Sequence, residues 1–353
     1  MAIKITGTGS YIPSTVAPNK SFEDHTFYGA DGSPFPSENT VIIEKFEAIT
    51  GIGERRYIRD GISNSDIAFY ASEKAIADAN INREDIDYII VAHNYGDVKH
   101  GFQQSDTVPS VGSRVKHLLR IKKPGCVAYD ILFGCPGWVE GMVQAWAYIT
   151  SGMAKTCLVV GAEALSRVVD PHDRDSMIYS DGAGAAIVQK VAGAPGGILA
   201  HHSATFAYDE AHFIYFGESY NKQHNSARRY IKMHGRKIYE FAITNVPAAL
   251  KECLEKSGRD ISEIKKVLIH QANEKMDAAI VKRFYRLYKM QVPEGTMPMS
   301  ISKLGNSSVA TVPTLYDLIL KGNMKNHELK KGDLIMFASV GAGMNINAIV
   351  YEV

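Results

Sequence analysis

An internal repeat limits the fold of this 353-residue chain more than any other feature of its sequence. Residues 65–80 carry apolar side chains at the spacing of one helix face, and a short polar link leads from them into the apolar segment 88–91. The same succession returns later, from an amphipathic stretch over 237–257 into the apolar segment 267–269. The chain is therefore predicted to contain one α/β unit twice.

The spacing of matching residues supports this duplication. Ile86 and Ile264 hold corresponding places in the two polar links and stand 178 positions apart, about half of the chain. Cys135 and Asn306 each precede a helical pattern and stand 171 positions apart. Because any α/β protein shows partial echoes of this kind, chance similarity is the alternative explanation.

The alternation of strand and helix patterns favours mostly parallel sheets that are covered by helices. A duplicated unit of this type predicts two sheets stacked face to face around shared helices, with functional residues at the carboxyl ends of strands. The pattern breaks near 189–197, a stretch rich in Gly, Ala and Pro. We therefore expect two halves, 1–190 and 191–353.

The tetrapeptide Gly134-Cys135-Pro136-Gly137 follows a strand-like run and precedes a helix-like one. A thiol at the start of a helix meets unpaired backbone N–H groups and the positive end of the helix dipole, which favour a thiolate. Pro136 suits the first helical position. Cys135 is thus the candidate nucleophile. The remaining cysteines lack this setting and are expected to be structural: Cys126, Cys157 and Cys253.

Composition argues against several classes of protein. The formal net charge of +1 disfavours a general nucleic-acid-binding protein. Four cysteines without paired spacing make no disulfide framework, and no Cys/His cluster predicts a metal site. No apolar run approaches the roughly 20 residues of a membrane span, and the N-terminal residues lack a signal-peptide pattern. We therefore expect a cytoplasmic protein without membrane contact.

Two further polar residues occupy places like that of Cys135. His270 follows the apolar run 267–269, and Asn306 lies in a Gly/Ser-rich turn before a helical pattern. Taken singly, the histidine is explained as a structural residue and the asparagine as a helix N-cap. If the two halves stack as predicted, the three side chains lie at corresponding strand ends and converge.

Several segments in a fixed order resemble those of a known family. They are the turn at Cys135, Tyr179-Ser180-Asp181-Gly182-Ala183-Gly184-Ala185, His270-Gln271-Ala272-Asn273, Gly305-Asn306-Ser307-Ser308 and Gly341-Ala342-Gly343. Together they resemble the 3-oxoacyl-acyl-carrier-protein synthase III members of the thiolase superfamily, over nearly the whole chain. The resemblance implies a duplicated thiolase-like α/β fold, with two five-stranded mixed sheets in a layered αβαβα arrangement, and a homodimer.

The resemblance also implies a reaction. Cys135 takes an acyl group from an acyl-CoA or another acyl thioester primer, because a thiolate is both a good nucleophile and a good leaving group. Malonyl-acyl carrier protein then loses CO₂, and His270 and Asn306 stabilise the enolate that attacks the acyl-enzyme. The backbone N–H groups of Cys135 and Ala342 form the second oxyanion hole. No metal or redox cofactor is implied.

The sequence departs from the family pattern where acyl-CoA is held. Family members carry a tryptophan and an arginine that grip the nucleotide, and Lys45 and Ile49 stand at these positions here. Arg174 does match the family's other nucleotide-contacting arginine. The segment Val98 to Val108, in the region that lines the family's acyl tunnel across the dimer, is longer than expected.

A basic helix following His270 resembles the surface on which family members dock the acidic carrier protein. Its matching residues are Lys275, Lys282 and Arg283. A solvated helix face is the alternative interpretation of these charges. Glu240 occupies another position that is usually basic, which predicts weaker or shifted docking.

Four other functions are alternatives to this reaction. A ketosynthase of specialised metabolism and an acyltransferase with a different acceptor use the same three residues, and a catalytically silent dimer partner is the non-enzymatic alternative. Retention of Cys135, His270 and Asn306 together argues against the silent partner. A biosynthetic thiolase is disfavoured, because it needs a second reactive cysteine near the C-terminus and Cys253 is the last cysteine.

Overall fold

The computed structural model describes residues 2–102, 104–223 and 227–353. In chain order its strands are β1 (Ala2–Tyr11), β2 (Thr15–Pro18), β3 (Glu54–Tyr57), β4 (Tyr88–His93), β5 (Val127–Leu132), β6 (Thr156–Ala164), β7 (Asp181–Val191), β8 (Gly197–Thr205), β9 (Ile214–Gly217), β10 (Tyr230–Met233), β11 (Ile264–Ile269), β12 (Leu334–Gly341) and β13 (Asn345–Glu352). Its α-helices are α1 (Asn39–Thr50), α2 (Asn64–Ala79), α3 (Val111–Leu118), α4 (Gly137–Thr150), α5 (Gly235–Ser257), α6 (Glu274–Leu287), α7 (Ile301–Leu304) and α8 (Thr311–Leu320).

The two main sheets repeat one topology, which confirms the predicted duplication. The first has the order β1-β7-β6-β4-β5, and the second has the order β8-β13-β12-β11 when read from the matching edge. In the first sheet β4 runs parallel to β6, while β7 is antiparallel to both β6 and β1. In the second, β11 runs parallel to β12, while β13 is antiparallel to both β12 and β8.

In one detail the structure differs from the expected pair of five-stranded sheets. Within the described residues the second sheet has four paired strands, and no strand occupies the place that β5 has in the first. The segment 293–300 runs beside β11 without forming a strand that pairs with it. The Val267 N–H nevertheless donates to the Thr296 carbonyl at 2.8 Å. Pro293 and Pro298 lack the N–H that a regular ladder requires, so the segment stays irregular.

Five layers stack as the sequence predicts. Side chains of α4 and α8 form a shared core with both sheets, while α2 and α3 cover the outer face of the first sheet and α5 and α6 that of the second. Trp138 on α4 meets Phe337 on β12 edge to face, with ring centroids 5.6 Å apart. Such a contact contributes about 0.5–1.5 kcal/mol beyond the burial of its area, so it helps to clamp one half onto the other.

Local sequence accounts for how these layers begin and close. Ser63 caps α2 in a capping box with Asp66, which satisfies two backbone N–H groups at the helix start. Gly9 lets β1 approach α2, because a Cβ there would lie 2.4 Å from the Ala71 carbonyl oxygen. The three cysteines expected to be structural are all buried: Cys126, Cys157 and Cys253.

A fourth apolar cluster lies over the carboxyl ends of the strands and forms a roof there. It combines α1 and the irregular segment before it with residues after β6 and with β10, which pairs with β9. Phe22, Phe27 and Phe46 are buried in it. Within the part of the chain that the structure describes, no helix is both long and apolar enough to cross a membrane.

Candidate active site

The turn after β5 presents Cys135 at the start of α4. Gly134 adopts φ +66°, in the left-handed region that favours glycine, and α4 begins at Gly137 with Pro136 as its N-cap, one residue later than predicted. A Cβ on Gly134 would lie 2.7 Å from the Ala342 nitrogen. The turn that carries the thiol therefore touches the turn after β12, which belongs to the other sheet.

His270 stands directly after β11 and is 3% exposed. Its backbone N–H donates to the Ala338 carbonyl at 2.8 Å, and the next side chain, Gln271, accepts from Ser300 N–H at 2.9 Å and donates to the Pro298 carbonyl at 2.8 Å. Burial lowers the pKa of His270 to about 4, opposed by a hydrogen bond with the Ser308 backbone. The imidazole is therefore neutral near pH 7 and carries one N–H donor.

Asn306 is held by its backbone and its side chain. Its N–H donates to the Ile178 carbonyl at 2.9 Å, and its carbonyl accepts from Ser180 N–H at 2.8 Å. The side-chain oxygen accepts from Ser308 N–H at 2.8 Å. Because that bond engages the oxygen, the amide nitrogen is left to act as the donor at the site.

The three predicted side chains line one cavity of about 860 Å³. Cys135 reaches it from the first sheet, whereas His270 and Asn306 reach it from the second half of the chain. Gly341 and Ala342 also line it, and a Cβ on Gly341 would lie 2.6 Å from the Cys135 nitrogen. The backbone at Ala342 and the backbone at Cys135 thus lie side by side at the cavity wall.

The electrostatic setting of the thiol differs from the sequence expectation. Burial raises the pKa of Cys135 to about 11, and the charge of Glu163 acts in the same direction. The Ser308 hydroxyl, whose oxygen lies 3.4 Å from the sulfur, and the Cys135 backbone lower it. The helix start was expected to favour a thiolate, but desolvation of the sulfur outweighs these donors, so the resting thiol is protonated near pH 7.

The cavity mouth holds Arg174 and an aromatic residue that the sequence analysis missed. The Arg174 guanidinium carbon lies 4.9 Å from the ring centroid of Phe35, and both residues line the cavity. Lys45 and Ile49 line it as well. Phe35 belongs to the irregular segment before α1. It lies far in sequence from Arg174, and no sequence pattern indicated that the two residues meet.

The three basic residues predicted for docking lie exposed on α6: Lys275, Lys282 and Arg283. The acidic Glu240 does not stand alone, because Arg236 Nε lies 2.9 Å from its carboxylate oxygen. Arg236 also lines the cavity, and its side chain is 91% exposed. The sequence did not single out Arg236, although the adjacent basic pair Arg236-Lys237 lies at the start of α5.

The arrangement suits acyl transfer through a thioester, because it combines a thiol, paired backbone amides and two neutral side-chain donors in one cavity. The sequence profile of 3-oxoacyl-[acyl-carrier-protein (ACP)] synthase III matches residues 129–205, and the C-terminal profile of the same synthase matches residues 254–353.

Relatives match along almost the whole chain. A beta-ketoacyl-[acyl-carrier-protein] synthase III 1 of Vibrio parahaemolyticus is 33% identical over 344 residues, which cover 97% of each protein. A beta-ketoacyl-[acyl-carrier-protein] synthase III of Clostridium beijerinckii is 33% identical over 355 residues, which cover 99% of each. The crystal structure of 3-oxoacyl-[acyl-carrier-protein] synthase III from Aquifex aeolicus superposes with a TM-score of 0.82 at 28% identity, over 100% of both chains. The chain belongs to the 3-oxoacyl-[acyl-carrier-protein] synthase III family.

Proposed function

We propose that this protein catalyses a decarboxylating Claisen condensation in fatty acid biosynthesis. An acyl primer carried on Cys135 reacts with malonyl-acyl carrier protein and yields 3-oxoacyl-acyl carrier protein and CO₂. The observation that carries this proposal is the meeting of Cys135, His270 and Asn306 at one cavity, from opposite sheets of a duplicated fold.

The first half-reaction loads the enzyme. The Cys135 sulfur attacks the carbonyl carbon of the primer thioester, and the backbone N–H groups of Cys135 and Ala342 stabilise the oxyanion. The carbon–sulfur bond to the carrier then breaks, and the proton of the Cys135 thiol leaves with the carrier thiolate. Because the thiol is protonated at rest, loading proceeds through its small thiolate fraction, and the proton that this fraction has lost is balanced by the proton that the carrier thiolate takes up.

The second half-reaction forms the carbon–carbon bond. The malonyl thioester loses CO₂, and the electron pair of the broken bond forms an enolate whose oxygen accepts from the His270 N–H and the Asn306 amide. The enolate carbon attacks the acyl group on Cys135, and the Cys135 thiolate leaves. A neutral histidine suits this role, because its N–H stabilises the enolate without handing over a proton that would quench it.

We assign substrate contacts at the mouth of the cavity. Arg174 contacts the CoA or pantetheine portion of the primer, and Phe35 supplies an aromatic surface beside it. Lys275, Lys282 and Arg283 dock the acidic carrier protein, aided by Arg236. The contact assigned to Arg174 is supported if Arg174→Ala raises KM for acyl-CoA and leaves KM for malonyl-acyl carrier protein unchanged. Equal effects on the two KM values oppose it.

We also assign a homodimer. Within each chain, we place the boundary of the two halves between residues 190 and 191. The edge strand β5 supports the dimer, because Leu132 is 67% and Val127 46% exposed along it, and Val108 nearby is 85% exposed. Apolar side chains on an unpaired sheet edge favour pairing with a second chain. The division between halves is supported by the end of β7 at Val191 and the start of β8 at Gly197.

Intact-mass spectrometry tests the function directly. The protein is incubated with acetyl-CoA, and malonyl-acyl carrier protein is added after the excess primer is removed. We expect an acetyl adduct that maps to Cys135, and then its loss as acetoacetyl-acyl carrier protein and CO₂ appear. The Cys135→Ala variant is expected to form neither. Persistence of the adduct in the presence of malonyl-acyl carrier protein would show an acyltransferase with another acceptor, and no adduct with any acyl thioester would show a silent partner.

A further inference from the structure

The condensation scheme leaves one polar group beside the reacting sulfur without a role. The Ser308 hydroxyl oxygen lies 3.4 Å from Cys135 Sγ, and Ser308 is 3% exposed. Its φ of +53° lies in the left-handed region that residues other than glycine seldom adopt. Strain of this kind persists where the surrounding structure enforces it, often at functional sites.

Asn94 determines which way the Ser308 hydroxyl donates. Its side-chain nitrogen lies 3.1 Å from Ser308 Oγ and also bonds to a carboxylate oxygen of Glu163. An amide nitrogen only donates, so Ser308 Oγ accepts from Asn94 and its own proton is free to point at the sulfur. The polarity of the chain therefore runs from Asn94 through Ser308 to Cys135.

Glu163 in turn determines the orientation of Asn94. The Asn94 backbone N–H donates to the same carboxylate oxygen at 3.0 Å, so Asn94 approaches Glu163 with two donors. A flipped amide would place its oxygen against the carboxylate, which cannot donate when ionised. Glu163 lies in β6 and is 1% exposed, and burial raises its pKa to about 7, so the carboxylate holds Asn94 most firmly above that pH.

We propose that Glu163, Asn94 and Ser308 form a one-way hydrogen-bond chain that orients the Ser308 hydroxyl as a donor to the Cys135 sulfur. Ser308 touches the reacting atom, whereas Asn94 and Glu163 are positioning residues that act through it. The hydroxyl stabilises the thiolate as Cys135 attacks the primer and again as it departs from the condensation product. This inference rests on the proposed role of Cys135 as the nucleophile.

Other groups around the sulfur act alongside the chain. Glu163 opposes the thiolate through its charge, and the phenols of Tyr95 and Tyr179 lie close enough to interact with it. His93 and Asp181 face Glu163 and act on its ionisation in opposite directions. The charge of Glu163, acting through space, raises the thiol pKa, whereas the Ser308 donor lowers it. A lower reactivity of Cys135 after loss of the Ser308 or Asn94 donor therefore identifies the hydrogen-bond chain, and not the Glu163 charge, as the cause.

The test measures how fast iodoacetamide alkylates Cys135 as a function of pH, resolved by peptide mass spectrometry. We expect Ser308→Ala and Asn94→Ala each to shift the pH dependence of the alkylation rate by about one unit toward higher pH, which is roughly a tenfold slower reaction at a fixed pH. The double variant is expected to match Ser308→Ala alone, because Asn94 acts only through the hydroxyl. Ser307→Ala is the matched control, since its hydroxyl contacts Thr311 at 3.3 Å instead, and it should keep the wild-type profile.

A second variant guards against a folding artefact. Ser308→Gly removes the hydroxyl and relieves the left-handed backbone, so it should alkylate as slowly as Ser308→Ala while keeping the wild-type melting temperature. Wild-type profiles for both Ser308 variants, or a further slowing by Asn94→Ala in the Ser308→Ala background, would overturn the chain. If the wild-type protein catalyses the condensation and the variants keep the wild-type alkylation profile, the hydrogen-bond chain alone is refuted. If the alkylation profiles shift but the wild-type protein catalyses no condensation, the proposed function alone is refuted.

Discussion

Gly341 presses against Cys135 across the boundary between the two sheets: a Cβ on Gly341 would lie 2.6 Å from the Cys135 nitrogen and 2.9 Å from its Cβ. The φ of Gly341 is −170°, an extended conformation open to any residue, so the requirement for glycine here is one of space.

We therefore predict that Gly341→Ala separates the two backbone amides of the proposed oxyanion hole. Loss of one such donor costs about 10²–10³ in rate, and overpacking costs about 1–3 kcal/mol of stability. The rate of Cys135 acylation, followed by intact mass, checks the first effect. Gly61→Ala is the control, because a Cβ there meets nothing within 4 Å. Acylation at the wild-type rate in Gly341→Ala would remove this pair of amides from the mechanism.

A second prediction separates the two half-reactions. His270→Ala and Asn306→Ala should each still form the acyl-enzyme, because loading uses the thiol and backbone amides. Each should release CO₂ from malonyl-acyl carrier protein at least about 10²-fold more slowly, because one enolate donor is lost. Acyl-enzyme mass and CO₂ release are measured on the same samples. Complete loss of acylation in His270→Ala would instead make this histidine the base for the thiol.

The desolvated thiol of Cys135 predicts that the rate of loading rises with pH. Since burial raises the pKa of Cys135 to about 11, the thiolate fraction grows about tenfold per pH unit below that value. His270, with its pKa lowered to about 4, stays neutral throughout the neutral range and adds no change there. The single-turnover rate of acylation by acyl-CoA should therefore rise steadily with pH. A plateau through the neutral range would mean that the thiol is already ionised.

Charge reversal on α6 should weaken productive docking of the carrier protein. The double variant Lys282→Glu/Arg283→Glu is expected to raise KM for malonyl-acyl carrier protein roughly tenfold, about 1.4 kcal/mol, and to leave hydrolysis of a small thioester unchanged. Lys330→Glu/Lys331→Glu carries the same charge change on exposed residues before β12, at the opposite end of the strand from the site, and should have the wild-type KM. Equal values for both variants would remove α6 from the docking surface.

The edge of the first sheet gives a prediction about assembly. Leu132→Arg places a charge on β5 where a second chain is proposed to pair, and should convert the proposed homodimer into a monomer in light-scattering measurements. Met153→Arg is the matched control. Met153 lies between α4 and β6 and is 61% exposed, compared with 67% for Leu132, so both variants introduce arginine at a similarly exposed apolar residue. The control is expected to stay dimeric. A Leu132→Arg protein that remains a dimer would place the interface elsewhere.

The sequence indicated the repeated unit and the three candidate side chains because each is marked by a short-range pattern, and their convergence was expected from the predicted stacking of the two halves. Strand and helix periodicity identified the repeated unit, and Cys135 and His270 each follow a strand, whereas Asn306 follows the short helix α7 and not the strand end that was predicted. The missing fifth strand of the second sheet was not predicted, although Pro293 and Pro298 stand in the segment concerned. Their effect on pairing became clear only once β11 was known to be the neighbour.

What the sequence did not show depends on contacts between distant segments. Asn94, Glu163 and Ser308 come from three separate parts of the chain, and no spacing rule connects them. Phe35 reaches Arg174 through a segment without regular structure. The ionisation of Cys135 was misjudged for the same reason, because a helix start is visible in a sequence whereas the apolar walls that desolvate the sulfur are not.

The roof over the strand ends includes β10, which belongs to another part of the chain than Cys135, His270 and Asn306. Ile214 on β9 and Ile231 and Met233 on β10 line the cavity, whereas Cys135 and His270 follow the sheet strands β5 and β11, and Asn306 follows the helix α7. We therefore expect that exchanging β9 and β10 alters the selectivity of the proposed reaction for its primer and leaves Cys135, His270 and Asn306 in place. In such chimeras, chain-length preference and turnover should vary independently of each other.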